Sequence, residues 1–121
     1  MVGNVYNVIA RLKGAHRSKA VIVAAHYDSQ PNALGAADDG VSCAAMLETA
    51  RILKAGPPLQ NDVIFLFTDG EEDGLLGATA FVRESPLLKE TSIVLNFDNR
   101  GSSGDNTMFE TNAGNGWVMG E

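Results

Sequence analysis

A single cysteine, Cys43, excludes an internal disulfide and leaves a cysteine-built zinc site without enough ligands. No stretch approaches the roughly 18 consecutive apolar residues of a membrane span, and the N-terminus lacks the basic, apolar, small-residue order of a secretory signal. No membrane segment is therefore expected in this chain. Basic residues are also scarce: nine Lys plus Arg stand against 15 Asp plus Glu, a net charge of −6, so nucleic acid is not an expected partner. What remains, 45% apolar and 20% charged residues over 121 positions, is the profile of one soluble globular domain spanning 1–121.

The acid is concentrated in short segments that also carry His, Gly and Asn: His26-Tyr27-Asp28, Asp38-Asp39-Gly40, Asp69-Gly70-Glu71-Glu72 and Asn96-Phe97-Asp98. Between them run elements of recognisable period. Tyr6, Val8, Ala10 and Leu12 alternate as on a half-exposed edge strand. Residues 14–18 are polar and turn the chain, and residues 20–25 then run apolar without alternation, as in a strand covered on both faces. Asp38 or Asp39 is placed to cap a helix of about 17 residues ending before Gly56-Pro57-Pro58, with an apolar stripe of Cys43, Met46, Leu47, Ala50 and Leu53. Residues 63–67 form a second apolar strand, followed by a turn and a helix over about 72–83; residues 93–97 form a third. A weaker strand is predicted at 107–111, and a helix begins near Asn115. Buried strands alternating with helices predict an α/β fold of three α/β/α layers around a mostly parallel, mixed sheet. Trp117 and its apolar neighbours on the last helical turn call for further chain to cover them, so the sequence reads as a partial domain, truncated at the C-terminus. Apolar surface exposed there predicts self-association through the C-terminal end.

In parallel sheets, groups that act on ligands project from the carboxyl ends of the strands. All three apolar runs end in a candidate metal ligand: His26, the Glu71-Glu72 pair, and Asp98. Asp38 opens the helix after the first. These groups are expected to converge although about 70 residues separate the outermost. Converging carboxylates repel one another, and divalent cations relieve that repulsion. Imidazole with carboxylate and no thiolate suits zinc, with cobalt or manganese as substitutes, better than calcium. Of the adjacent Glu71 and Glu72, one is suited to bind metal while the other serves as general base, the pairing that metal-assisted hydrolysis needs. Asp28, two residues after His26, is placed to accept the other ring N–H and fix the tautomer.

The segments Ala25-His26-Tyr27-Asp28-Ser29, Gly35-Ala36-Ala37-Asp38-Asp39-Gly40, Asp69-Gly70-Glu71-Glu72 with Gly74-Leu75-Leu76-Gly77, and Leu95-Asn96-Phe97-Asp98 closely resemble the di-zinc exopeptidases of peptidase family M28, in order and over nearly the whole chain. The resemblance implies a zinc-exopeptidase (phosphorylase/hydrolase-like) fold and an aminopeptidase acting on peptides with a free N-terminus. It also implies two zinc ions bridged by Asp38, with His26 and Asp98 on one ion and Glu72 on the other, and Glu71 as the base that deprotonates a bridging water. The family pattern places one further histidine downstream of the Asp98 position. His16, expected at the opposite end of its strand from His26, is a poor substitute, so the chain by itself is expected to be weakly active or inactive.

Each of these residues has a plainer use. Asp38 and Asp39 could serve only as a helix cap, and Glu71 and Glu72 only as first-turn acids favoured by the helix dipole. Asp69 and Asp73 read as solvated, Cys43 as a small buried hydrophobe, and Arg100 as the partner of an acid. Two other functions compete with the aminopeptidase reading: a family-like module or fragment that binds without catalysis, and a single-zinc acyl transferase of the glutaminyl cyclase type. The intact Glu71 argues against a decayed site, and the presence of both His26 and Asp98 favours two metals over one.

Overall fold

The computed structural model describes residues 3–99, 101, 103–108, 110–112 and 114–119. Four strands, β1 (Val8–Leu12), β2 (His16–His26), β3 (Asn61–Thr68) and β4 (Thr91–Asn96), form one sheet in the order β1-β3-β2-β4. β2 runs parallel to both β3 and β4, while β1 lies antiparallel on the β3 edge. Helix α1 (Val41–Ala55) links β2 to β3; helix α2 (Leu76–Glu84) and a 3-10 turn (Pro86–Glu90) link β3 to β4. A last turn of helix, α3, spans Gly116–Met119.

Of the three apolar runs, β2 and β3 have a helix packed on each face; β4 instead alternates half-buried and exposed residues, with Val94 51% exposed, which corrects the expectation of a third covered strand. Ala20, Ile22, Ala24, Ile64 and Leu66 pack with Phe81 of α2 and with Leu87 and Leu88 on one face. Ala25, Phe65 and Phe67 pack with Met46 of α1 on the other, flanked by Cys43, Ala50 and Leu53. Burying these side chains from water, at about 25 cal/mol per Å² of apolar surface, is the main force joining the three layers. No helix among the described residues is long and apolar enough to cross a membrane.

Several elements differ from their sequence-based bounds for local reasons. β2 begins at His16, so only the start of the predicted turn at 14–18 is a turn, and the register then shifts between His16 and Val21. α1 starts at Val41 with Gly40 at its N-cap and no side-chain cap, which corrects the expectation that Asp38 or Asp39 caps it. Leu47, predicted on the apolar stripe, is 62% exposed and off the buried face. α2 starts at Leu76, not near 72, because Gly74 (φ 104°) and Leu75 (φ 60°) interrupt the helical path. Described residues within 107–111 form no strand, and Phe109 lies outside the described residues.

The sheet's two ends differ in chemistry. At the end where β3 begins, Asp62 is fully buried; it accepts from Arg11 Nε at 2.5 Å and from the Gly14 amide at 2.6 Å. The same guanidinium reaches Glu90 at 2.7 and 3.1 Å, joining β1, β3 and the approach to β4. The opposite end carries the ionisable cluster.

Candidate metal centre

Parallel pairing sets the geometry. His26, the last residue of β2, is level with Thr68, the last of β3. The Phe97 amide continues the β4 pairing by donating to the Ala24 carbonyl at 2.9 Å, which brings Asp98 to the same edge. The Cys43 thiol donates to the His26 carbonyl at 3.1 Å, so α1 also steadies this strand end and Cys43 is not wholly a passive hydrophobe.

Asp38 arrives from the turn Ala36–Gly40, which opens at Gly35 in the left-handed region (φ 65°) that a side chain disfavours. Asp38 and Asp39 leave the helical path, and the peptide bond between them is cis. Asp38 Oδ1 lies 3.0 Å from His26 Nε2. One ligand atom from each of His26, Asp38 and Asp98 lies within 4.8 Å of the others. Beneath them Asp39 is 1% exposed; its Oδ2 accepts the His26 amide at 3.3 Å, and its Oδ1 has no hydrogen-bond partner among the described residues.

The donor set fits a cation. His26 Nδ1 lies 3.0 Å from the Asp28 carbonyl, so the ring N–H is used there and the Nε2 lone pair faces a carboxylate oxygen, an arrangement that requires a proton or a metal between them. Burial disfavours charge on His26, but the Glu71 carboxylate, the Asp28 carbonyl and the nearby Asp39 and Asp28 outweigh it and raise its pKa. Burial pushes the Asp39 and Glu71 carboxyls up, with Asp98 adding to both. Negative charge is in excess at this edge, and a divalent ion relieves it.

Glu71 and Glu72 lie in the turn between β3 and α2, so neither is a first-turn acid of the helix. Asp28 holds them there: its two carboxylate oxygens accept the amides of Glu71 and Glu72 at 3.0 and 3.1 Å. This differs from the expected contact, since the carbonyl of Asp28 and not its carboxylate meets the His26 ring; the carboxylate stands at 3.5 Å. Asp28 thus ties the turn that carries Glu71 and Glu72 to the histidine-bearing strand. Asp28→Ala is expected to lower zinc affinity or activity roughly 10- to 100-fold, as loss of a group that orients ligands typically does. Metal titration beside wild type checks this.

The far side of the turn is clamped by the N-terminal segment. The Tyr6 amide donates to Asp69 at 2.9 Å, and the Asn7 side chain bridges the Asp69 amide and the Gly77 carbonyl. A Cβ on Gly77 would collide with Asn7 and the Asp69 backbone, so only glycine allows this approach. Asp69 is therefore more than the solvated turn residue that the sequence suggests.

The structure brings His26, Asp38 and Asp98 together, with Asp28 and Glu71 against them. It leaves the Glu72 carboxylate outside that trio, accepting from Gln30 Nε2 at 2.6 Å. His16 is at the far end of β2, and Arg100 lies outside the described residues. Sequence reasoning missed Gln30, which sits in a polar loop with no periodic signal, and the burial of Asp39.

Comparison with known proteins identifies the family. The family model for peptidase family M28 matches residues 7–121. The chain is 37% identical over 118 residues to endoplasmic reticulum metallopeptidase 1 of Rattus norvegicus, and 40% identical over 119 residues to putative endoplasmic reticulum metallopeptidase 1-B of Caenorhabditis elegans; each alignment covers 96% of this chain and 13% of the relative. The chain thus spans about an eighth of the length of these relatives. Among solved structures, a zinc aminopeptidase from Bacillus subtilis superposes with a TM-score of 0.67 at 34% identity, covering 77% of this chain and 24% of that one. The three-layer fold, the motifs at its strand ends and these matches together place the chain in peptidase family M28.

Proposed function

We propose that this chain carries the metal-binding half of a zinc aminopeptidase site. The observation that supports it best is the meeting of a His26 ring nitrogen with oxygens of Asp38 and Asp98 within 4.8 Å, beside a half-buried Glu71. In this reading His26, Asp38 and Asp98 would hold one zinc ion, and Asp38 with Glu72 would serve a second. Zinc bound there supplies a Lewis acid for the scissile carbonyl and lowers the pKa of water.

The remaining steps belong to the protein. Glu71, fixed through its amide by Asp28, accepts a proton from the attacking water at its carboxylate and returns it to the leaving amine. Burial, which favours the neutral form of Glu71, suits a group that alternates between base and acid. The excess of carboxylates along this edge attracts the α-ammonium of a peptide, which accounts for removal of N-terminal residues over internal cleavage.

We also propose that the 121 residues alone turn peptides over weakly or not at all, because no second imidazole approaches Glu72 among the described residues. Hydrolysis of a short peptide with a free N-terminus, compared with its N-acetylated form, tests the reading in the full-length protein. Cleavage of the free form alone, lost on chelation and restored by zinc, is expected. Equal cleavage of both forms, or activity indifferent to chelation, contradicts it.

A further inference from the structure

We propose that Gln30 is a positioning residue for Glu72, one that selects which carboxylate oxygen is presented to a cation. The inference rests on the reading of Glu72 as a ligand and adds a partner that the motifs do not contain. Gln30 lies in the loop leaving β2, two residues beyond Asp28, and its Nε2 donates to Glu72 Oε2 at 2.6 Å. Asp28 fixes the Glu72 amide from the same loop.

The two contacts divide the work. A glutamate side chain has three rotatable bonds and loses rotamer freedom when held. Anchoring the amide alone leaves that freedom intact. Gln30 restricts it before any ion arrives, and it does so as a neutral donor, adding no positive charge that would compete with zinc. It satisfies one oxygen and leaves the other for the ion. Residues 29–34 are otherwise exposed, and the side chain covers no part of the two core clusters. A contribution to packing therefore does not explain its position.

Zinc titration of the full-length protein by calorimetry, with elemental analysis of the bound metal, tests this on wild type, Gln30→Met and Glu72→Gln. Met keeps the length of the side chain and removes the donor. Expected are two ions for wild type, one for Glu72→Gln, and two for Gln30→Met. In Gln30→Met the weaker ion should bind about 3- to 10-fold less tightly, below the usual range for such partners because the bond is exposed. The tighter ion and the metal-free melting temperature should not change. An affinity equal to wild type in Gln30→Met, or an equal loss at both ions, overturns the inference while leaving Glu72 as a ligand. Two ions retained by Glu72→Gln, or fewer than two in wild type, overturns the underlying reading as well.

Discussion

On the proposed reading, Glu71→Gln is expected to lower peptide turnover by the full-length protein on the order of 10³-fold, within the range that a positioned general base contributes, and to leave bound zinc in place. The amide preserves the side chain's shape and the backbone contact to Asp28, which uses the Glu71 N–H and not its carboxylate. What it removes is the basicity of a carboxylate, which the proposed proton transfer needs. The His26, Asp38 and Asp98 cluster does not include the Glu71 carboxylate, so metal content should survive. Steady-state kinetics with metal analysis of the same preparations separates the two effects. Zinc lost together with activity would make Glu71 a ligand and not a base. Turnover within about 10-fold of wild type, below the range for a general base, would remove it from the chemistry.

Phe65→Ala destabilises the fold by about 3–5 kcal/mol, the usual cost of truncating a buried phenylalanine. Phe65 is 1% exposed, near the middle of β3, and packs with Ala25, Phe67 and Met46 between the sheet and α1. The loss has two parts: apolar surface withdrawn from burial, and a void that a strand paired on both sides cannot close by moving. Since single domains are stable by only about 5–15 kcal/mol, the urea midpoint should fall sharply. Val82→Ala, on the same scaffold but 63% exposed, should shift stability by no more than about 0.5 kcal/mol. Similar shifts for the two variants would contradict the placement of the core.

Much of this was legible in the sequence because burial and chemistry repeat the same punctuation. Each apolar run long enough to be a covered strand stops at an ionisable residue, and parallel pairing then makes convergence a matter of topology. Three kinds of detail were not legible. The pairing of Asp62 with Arg11 is set by the antiparallel register of β1, which places Arg11 opposite Ile64; the apolar run at 63–67 does not include Asp62 and gave no sign of it. The start of α2 depended on left-handed backbone at Gly74 and Leu75, and leucine gives no warning of that conformation. Asp28 was placed beside His26 correctly, but spacing alone does not separate a carbonyl from a carboxylate. The carboxylate is taken by the Glu71 and Glu72 amides, 43 and 44 residues away.

The most direct test of the account is anomalous diffraction at the zinc edge from crystals grown with zinc. The prediction is a peak bonded to His26 Nε2, Asp38 and Asp98, with a second peak sharing Asp38 and reaching Glu72. Zinc elsewhere on the protein, with no anomalous density between His26 and Asp38, would contradict the central claim that these strand ends were brought together to hold a metal.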